Sequence, residues 1–239
     1  MASPAQAPTL PGLVAARLLD AQLAGLVWVL LEGGVPLLVA GSDAAAETSL
    51  LDALVAALPP DRRPDAAEPA AAGRLVRVAG TLDPTTMPGV LRAALGATTG
   101  RSGLAALIAA PDIAGVLDVL ERQGLTDDES SFLGVILVVD RRAEAGGAPR
   151  VTSAHYLRPV VRDAGGHPRR RRPAILATWE PDGDRWEDFA WGIGPDLAER
   201  CRMRAGDFET ERERRAEVLA GPAHDGHAHS GHAHDGPVG

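Results

Sequence analysis

The chain has 239 residues, 45% of them apolar, and a formal net charge of −8. This is enough apolar material for a buried core, whereas the acidic balance argues against general binding to nucleic acids. The single cysteine, Cys201, excludes an internal disulfide, and the absence of lysine among the 24 basic residues excludes any reaction that needs a lysine amine.

The first part of the chain predicts a flexible segment, a long helix, a strand and a second helix. Residues 1–10 are rich in proline and alanine, so we expect a flexible lead-in. Apolar residues recur at helical spacing over residues 11–32, and Gly33 and Gly34 supply the stop. Residues 35–40 are continuously apolar, as in strands buried on both faces of a parallel sheet, and helical spacing returns over residues 48–58.

The rest of the chain first alternates between strands and helices and then contains a run of strands. The predicted strands are residues 74–80, 103–110, 133–140, 150–161 and 173–179, and the predicted helices are 88–95, 111–124, 195–204 and 207–219. The four arginines at 169–172 are interpreted as a solvated hairpin tip. This order predicts one α/β domain over residues 11–220, with a mostly parallel sheet, antiparallel edge strands and C-terminal helices.

The segment after the first strand has the outline of a phosphate-binding loop. In the pattern GxxxxGK[ST], glycines expose backbone N–H groups, the lysine reaches the phosphates and the hydroxyl holds Mg²⁺. Here Glu47 stands at the lysine position and Ala46 at the second glycine. The residues of this vestigial nucleotide loop are Gly41, Ser42, Asp43, Ala46, Glu47, Thr48 and Ser49.

Two acidic side chains in this loop act against a triphosphate. Asp43 and Glu47 would place carboxylates where phosphates should lie, and like charges a few ångströms apart cost about 1–4 kcal/mol near a protein surface. We therefore expect no ATP in the usual pose. Taken alone, the segment favours an ordinary strand, loop and helix that never bound nucleotide.

The surrounding sequence resembles the type II/type IV secretion and pilus ATPase family. The stretch "LVWVLLEGGVPLLVAGSDAAAETSLLDALVAALPPDRR" is similar to a region where that family has a helix, a strand, a "GPTGSGKTTLLNAL" loop and "PPDRR" in this order. "TMPGVLRAAL", "TGRSGLAAL" and "LGVILVVDRRAEAGGAPRVTSAHYLRPV" are similar to later segments of the family. The resemblance implies a RecA-like P-loop NTPase core over about residues 12–200.

Hydrolysis in that family implies a lysine on the phosphates, a catalytic glutamate and a histidine. This chain has no lysine, no glutamate between Pro69 and Leu120, and no histidine before His155. The resemblance therefore implies a degenerate member, a pseudo-ATPase that acts as a non-hydrolysing scaffold or regulatory subunit. Its expected partner is a protein: a homologous ATPase, a secretion or pilus component, or a second copy.

Two expectations about assembly and location accompany this hypothesis. About ten residues precede the first predicted helix, where the family carries an N-terminal domain, so we do not expect a conventional hexameric motor. The longest apolar run without charge, residues 21–31, is too short to cross a bilayer, and no secretory signal is recognisable. We expect a cytoplasmic protein without membrane insertion.

An alternative hypothesis is a residual nucleotide-binding protein or ATPase that uses arginines in place of lysine. Arg74, Arg77 and Arg101 are its candidates.

The last segment, residues 221–239, is a low-complexity histidine-rich tail that we expect to be disordered. Imidazole suits Zn²⁺ and Ni²⁺, and the HxH spacing lets one flexible segment supply several nitrogens. The candidate ligands are His224, His227, His229, His232 and His234. A third hypothesis is thus a metal-responsive adaptor, although an unselected repeat or a tail that titrates near neutral pH would have the same composition.

We expect Zn²⁺ binding by the full chain to be lost when residues 221–239 are removed, because the deletion takes away five of the seven histidines. Calorimetric titration of both proteins with Zn²⁺ measures this. Equal binding by the two proteins would exclude a metal role for the tail.

Overall fold

The structure is a computed structural model that describes residues 7–65, 73–83, 85, 89–98, 102–142, 144 and 146–221. The helices are α1 Leu10–Ala15, α2 Ala21–Glu32, α3 Ala44–Ala57, α4 Val90–Ala97, α5 Ile113–Arg122, α6 Asp127–Ser131, α7 Gly194–Arg200 and α8 Ala205–Ala220. The strands are β1 Leu37–Gly41, β2 Val76–Leu82, β3 Leu104–Ile108, β4 Val135–Arg141, β5 Pro149–Tyr156, β6 Val161–Arg162, β7 Pro168–Arg169, β8 Ala174–Glu180 and β9 Arg185–Asp188. The predicted lead-in and tail fall almost wholly outside the described residues.

Seven of the strands form one sheet in the order β2-β3-β1-β4-β5-β8-β9, and β6 pairs with β7 in a separate hairpin. Neighbours from β2 to β4 are parallel, whereas β5, β8 and β9 pair antiparallel. Because β8 runs in the same direction as β4, most strands of the sheet point one way. The prediction of an α/β fold with a mostly parallel sheet and an antiparallel edge is confirmed.

Helices cover both faces of the sheet, which explains the continuously apolar strands. Leu37 and Val39 of β1 pack into the core formed with α1, α2, α3, α7 and α8. Leu38 and Ala40 point to the opposite core, formed with α4 and α5. Alternate residues of a strand face opposite sides, so a strand buried on both faces must be apolar at every position.

The prediction of a single helix over residues 11–32 is wrong. The chain ends α1 at Ala15 and starts α2 at Ala21. Asp20 caps α2, because its carboxylate accepts a hydrogen bond from the Leu23 backbone N–H at 2.8 Å. Arg17 between the two helices has a φ of 57°, and its Nε donates to Asp184 at 2.8 Å.

The short elements α6, β6, β7 and β9 were not predicted from the sequence, and Arg169 lies on β7 rather than at a hairpin tip. Thr126 and Glu129 form a reciprocal capping box that starts α6, and this signature was readable from their spacing. The edge strand β9 is only four residues long and carries charged residues, so its pairing with β8 depends on the sheet rather than on a local pattern. None of the helices in the described ranges is long and apolar enough to cross a membrane.

Helices α2 and α8 pack closely because a glycine lies between their backbones. A Cβ atom on Gly25 would lie 2.9 Å from the Ala216 backbone nitrogen and from the Arg212 carbonyl oxygen. The buried Arg215 guanidinium stands 4.6 Å from the centre of the Trp28 ring and 2.8 Å from the Glu32 carboxylate. The arginines of α8 therefore anchor this helix as well as solvating it.

We expect Gly25→Ala to lower the free energy of unfolding by about 1–3 kcal/mol, because the added methyl group forces two helix backbones apart. The matched control is Gly206→Ala on α8, where no atom lies within 4 Å of the new Cβ. That change should be neutral or stabilise by up to about 1 kcal/mol, since alanine favours helix more than glycine does. Urea unfolding of both variants measures the difference, and equal stabilities would contradict the packing described.

Candidate functional site

The crevice between the carboxyl ends of β1 and β4 is the position where an open α/β sheet would hold a ligand. From β1 the chain crosses through α3 to β2 on one side, whereas from β4 it continues to β5 on the other side. Connections that leave adjacent strands in opposite directions open a crevice at their carboxyl ends, and ligands bind there. Gly41 ends β1 and Arg141 ends β4, so the vestigial nucleotide loop lies at this switch point.

Contacts between the two strand ends close this crevice. The Ser42 hydroxyl donates a hydrogen bond to the Asp140 carboxylate, and the Ser42 backbone N–H donates to the Val139 carbonyl oxygen at 3.1 Å. Gly41 has a φ of 153°, and a Cβ atom there would lie 1.7 Å from the same Val139 oxygen. Glycine is therefore required for the close approach of β1 to β4, whatever its role in a nucleotide site.

Helix α3 begins at Ala44, four residues before the predicted start at residue 48. Only Ser42 and Asp43 separate the strand from the helix. The expected loop up to Glu47 is therefore wrong as a loop, since Ala46, Glu47, Thr48 and Ser49 all belong to α3. A phosphate-cradling loop needs several non-helical residues with N–H groups turned inward, and a two-residue connection cannot supply them.

Asp43 occupies the amino end of α3 with its own carboxylate. Its Oδ1 accepts a hydrogen bond from the Ala46 backbone N–H at 3.1 Å, and its Oδ2 lies 2.7 Å from Arg141 Nε as an ion pair. The Asp43 side chain is only 5% exposed. The helix end that attracts anions is thus already filled by an internal anion, which is itself neutralised by an arginine of β4.

Glu47 places a second carboxylate beside the first. Glu47 is buried, and this burial is the main cause that raises the pKa of its carboxyl, with the nearby Asp43 charge acting in the same direction and a hydrogen bond from the Asp43 backbone opposing it. The Thr48 hydroxyl, expected to hold Mg²⁺, donates instead to the Ala44 carbonyl oxygen within the helix at 2.7 Å. The side chains of Ser42, Asp43 and Thr48 thus all form contacts within the protein.

The arginines proposed as substitutes for lysine do not reach the crevice. Arg77 lies on the edge strand β2 and pairs with Asp52 of α3 at 2.5 Å. Arg74 precedes β2 and contacts the carbonyl oxygens of Pro60 and Arg63. Arg101 lies outside the described residues. The arginine that the structure does bring to the loop is Arg141, which the sequence analysis did not select.

The missed residues share one signal in the sequence. Asp140 ends the predicted core strand and Arg141 and Arg142 follow it directly, and charged residues at the carboxyl end of a parallel strand are candidates for a site. Arg142 also pairs with Asp140 at 3.2 Å. Asp140, Arg141 and Arg142 thus form, together with Ser42 and Asp43, a cluster of ion pairs and hydrogen bonds across the crevice.

The predicted metal ligands of the tail lie outside the described residues. Over the ranges that the structure describes, no group of three or more histidine, cysteine, aspartate or glutamate side chains is arranged to hold a metal ion. His155 lies on β5, where its Nε2 is 3.0 Å from the Ser153 hydroxyl. Burial lowers the pKa of His155, so this residue is a neutral member of the sheet at physiological pH.

No protein-family model matches the chain, and no curated protein is significantly similar to it.

We expect Glu47→Gln to raise the free energy of unfolding at neutral pH by about 1 kcal/mol, the scale of one like-charge repulsion near a protein surface. A carboxyl whose pKa is raised on folding binds its proton more tightly in the folded state. The wild-type protein should therefore gain stability from this group as pH falls through the folded-state pKa, and the variant should lose that dependence.

Thermal unfolding of wild type and variant at neutral and mildly acidic pH measures this effect. The control is Glu187→Gln on β9, a carboxylate that is 43% exposed and lies 3.5 Å from Arg185, which should change stability by less than about 0.5 kcal/mol. A Glu47→Gln protein that is less stable than wild type at neutral pH would show that the charge of Glu47 is needed for folding.

Proposed function

We propose that this chain is a catalytically degenerate, RecA-like relative of the type II/type IV secretion and pilus ATPases, acting as a non-hydrolysing scaffold or regulatory subunit. The observation that carries the proposal is the amino end of α3, where a nucleotide phosphate would bind. Asp43 fills this position with its own carboxylate and pairs with Arg141.

Electrostatics at the crevice oppose a triphosphate. Asp43, Glu47 and Asp140 lie at the ends of β1 and β4 or in the first turn of α3, where the phosphates would bind, and a carboxylate without a cationic partner there would cost about 1–4 kcal/mol against a nearby anion. Arg141 is the cation in contact with the loop, and its charge is already used by Asp43. The chain contains no lysine that could restore the balance.

The order of the elements supports the ATPase-like ancestry. A buried helix, the strand β1 and α3 follow one another in the same order as in the family that the sequence resembles, with only two residues where that family has its phosphate loop. β1 lies in the middle of the parallel part of the sheet. The strand and helix persist because Leu50, Leu54 and their neighbours fill the core. Because these packing contacts do not involve the ligand-binding groups, the strand and the helix are retained when those groups are lost.

The activity left to such a subunit is binding to other proteins. Its partner in this proposal is a homologous ATPase, a secretion or pilus component, or a second copy of the chain. The alternative of a residual ATPase is disfavoured by the positions of Arg74 and Arg77, which contact other groups away from the crevice. The metal-responsive adaptor depends on the tail alone and is addressed by the Zn²⁺ titration.

We expect calorimetric titration with ATP and Mg²⁺ to show no micromolar binding, and the purified chain to release no phosphate above the rate of a Thr48→Ala control. An Asp43→Asn, Glu47→Gln double variant separates the two reasons for this result. Without the charges but with the same two-residue connection, it should still not bind ATP with micromolar affinity.

Mg²⁺-dependent phosphate release by the wild-type protein that disappears in Thr48→Ala would overturn the proposal, because it would require a working nucleotide site at the loop.

A further inference from the structure

A large cavity of the described structure lies at the opposite end of the sheet from the vestigial loop. It has a volume of about 990 Å³, at the upper end of the range typical of ligand clefts. Residues Gly33 to Pro36, which lead into β1, form part of its wall, together with the ends of α4 and β5, the segment before β6, and α7. This amino-end cleft is thus distinct from the closed crevice at the carboxyl end.

Two large apolar side chains on the wall of this cleft are exposed to solvent. Phe132 is 58% exposed and Val161 is 48% exposed, and both line the cleft. Exposed apolar side chains gathered at a concave surface are typical of sites that bind a partner. They give the cleft an apolar centre that a bound side chain could cover.

The wall beside Val161 is strongly basic although the chain as a whole is acidic. Residues 158–172, which include the β6–β7 hairpin, contain six arginines and one aspartate. Arg169 and Arg170 form ion pairs with Asp163 and Asp127. Arg171 lines the cleft and makes no ion pair or hydrogen bond through its side chain with the described residues.

The opposite wall limits where an acidic ligand can place its charges. Asp196, Glu199 and Arg200 of α7 line the cleft, and Arg200 donates to the Phe132 carbonyl oxygen at 2.8 Å. Arg92 and Glu129 also line it but neutralise each other in a two-contact ion pair. Of the arginines that line the cleft, Arg171 on the hairpin side is therefore the one that the described residues leave without an ion pair or a hydrogen bond.

One buried hydroxyl in the wall has an unused hydrogen-bonding capacity. Tyr156 is fully buried and its hydroxyl has no hydrogen-bond partner within the described part of the chain, while the residue contributes to the cleft. An unsatisfied buried polar group is unfavourable. Because this hydroxyl has almost no accessible surface, it does not itself contact a segment bound in the cleft.

We propose that the amino-end cleft binds an acidic segment of a partner protein, with an apolar side chain against Phe132 and Val161 and a carboxylate on Arg171. This inference rests on the proposed function, in which the chain acts through protein contacts. A nucleic acid fits less well, because two of the four arginines at 169–172 are held in ion pairs and Asp196 and Glu199 face the same cleft.

The test is a selection of peptides from a random displayed library on the full-length protein, followed by fluorescence anisotropy with the enriched peptides. We expect the enriched sequences to combine acidic residues with a large apolar residue. Binding should weaken by about tenfold or more in Arg171→Glu and in Phe132→Ser, and Arg171→Gln should give an intermediate loss. Thermal unfolding checks that the variants are folded.

Two exposed residues elsewhere provide matched controls. Arg185→Glu reverses a charge on β9, and Trp191→Ser removes an aromatic side chain that is 77% exposed; neither residue lines the cleft. Both should bind the peptides as wild type does.

The inference is overturned if no peptide is enriched, if the enriched peptides are not acidic, or if the cleft variants bind them as well as the controls do. Tighter binding of a single-stranded oligonucleotide, lost in Arg171→Glu, would also overturn it. ATP hydrolysis would instead refute the proposed function and leave the cleft standing as a binding site, so the two failures are distinguishable.

Discussion

The carboxylate of Asp43 at the amino end of α3 is the interaction on which the chemistry of this protein depends. The N–H groups at a helix start carry partial positive charge and bind anions. In this chain the anion is internal, close to the first turn of its own helix and paired with Arg141. A ligand phosphate would have to displace a carboxylate that cannot leave, next to the buried Glu47.

The carboxyl and amino ends of the parallel strands therefore differ in their contacts and in their accessibility. At the carboxyl end, the Ser42–Asp140 hydrogen bond and the contact of Gly41 with Val139 hold β1 against β4. At the amino end, the connection into β1 lines an open cleft, with the exposed Phe132 and the half-buried Arg171 on its walls. Under the function proposed, the protein retains the sheet of an ATPase-like core. It binds a partner protein at the amino ends of the strands and does not bind nucleotide at their carboxyl ends.

Local patterns predicted most of the elements but not the important boundary at α3. β1, β3 and β4 were recognisable because strands buried on both faces are apolar throughout, and α5 was recognisable from Asp112 before it and Gly124 after it. Asp43 is equally good as a helix cap. The phosphate-loop template nevertheless placed it inside a loop, because a template aligns residues by spacing and does not weigh their capping energy.

The break between α1 and α2 shows a second limit of local patterns. Asp20 was readable as a cap, but the apolar periodicity continues through Leu18 and Leu19, which are buried although they are not helical. Arg17 takes its left-handed conformation where its guanidinium bonds to Asp184, which lies far away in the sequence. Apolar periodicity indicates which residues are buried, but it does not indicate whether those residues are helical.

The sequence by itself determined the chemical inventory: no lysine, acids at positions 43 and 47, apolar strands, and a histidine-rich end. These properties depend only on residue type and near-neighbour spacing. Only the tertiary structure decided that Arg141 neutralises Asp43 and that Phe132 and Arg171 share one cleft. Such pairs are brought together by the order of strands in the sheet, which buries a common core and is not encoded in any local stretch of the chain.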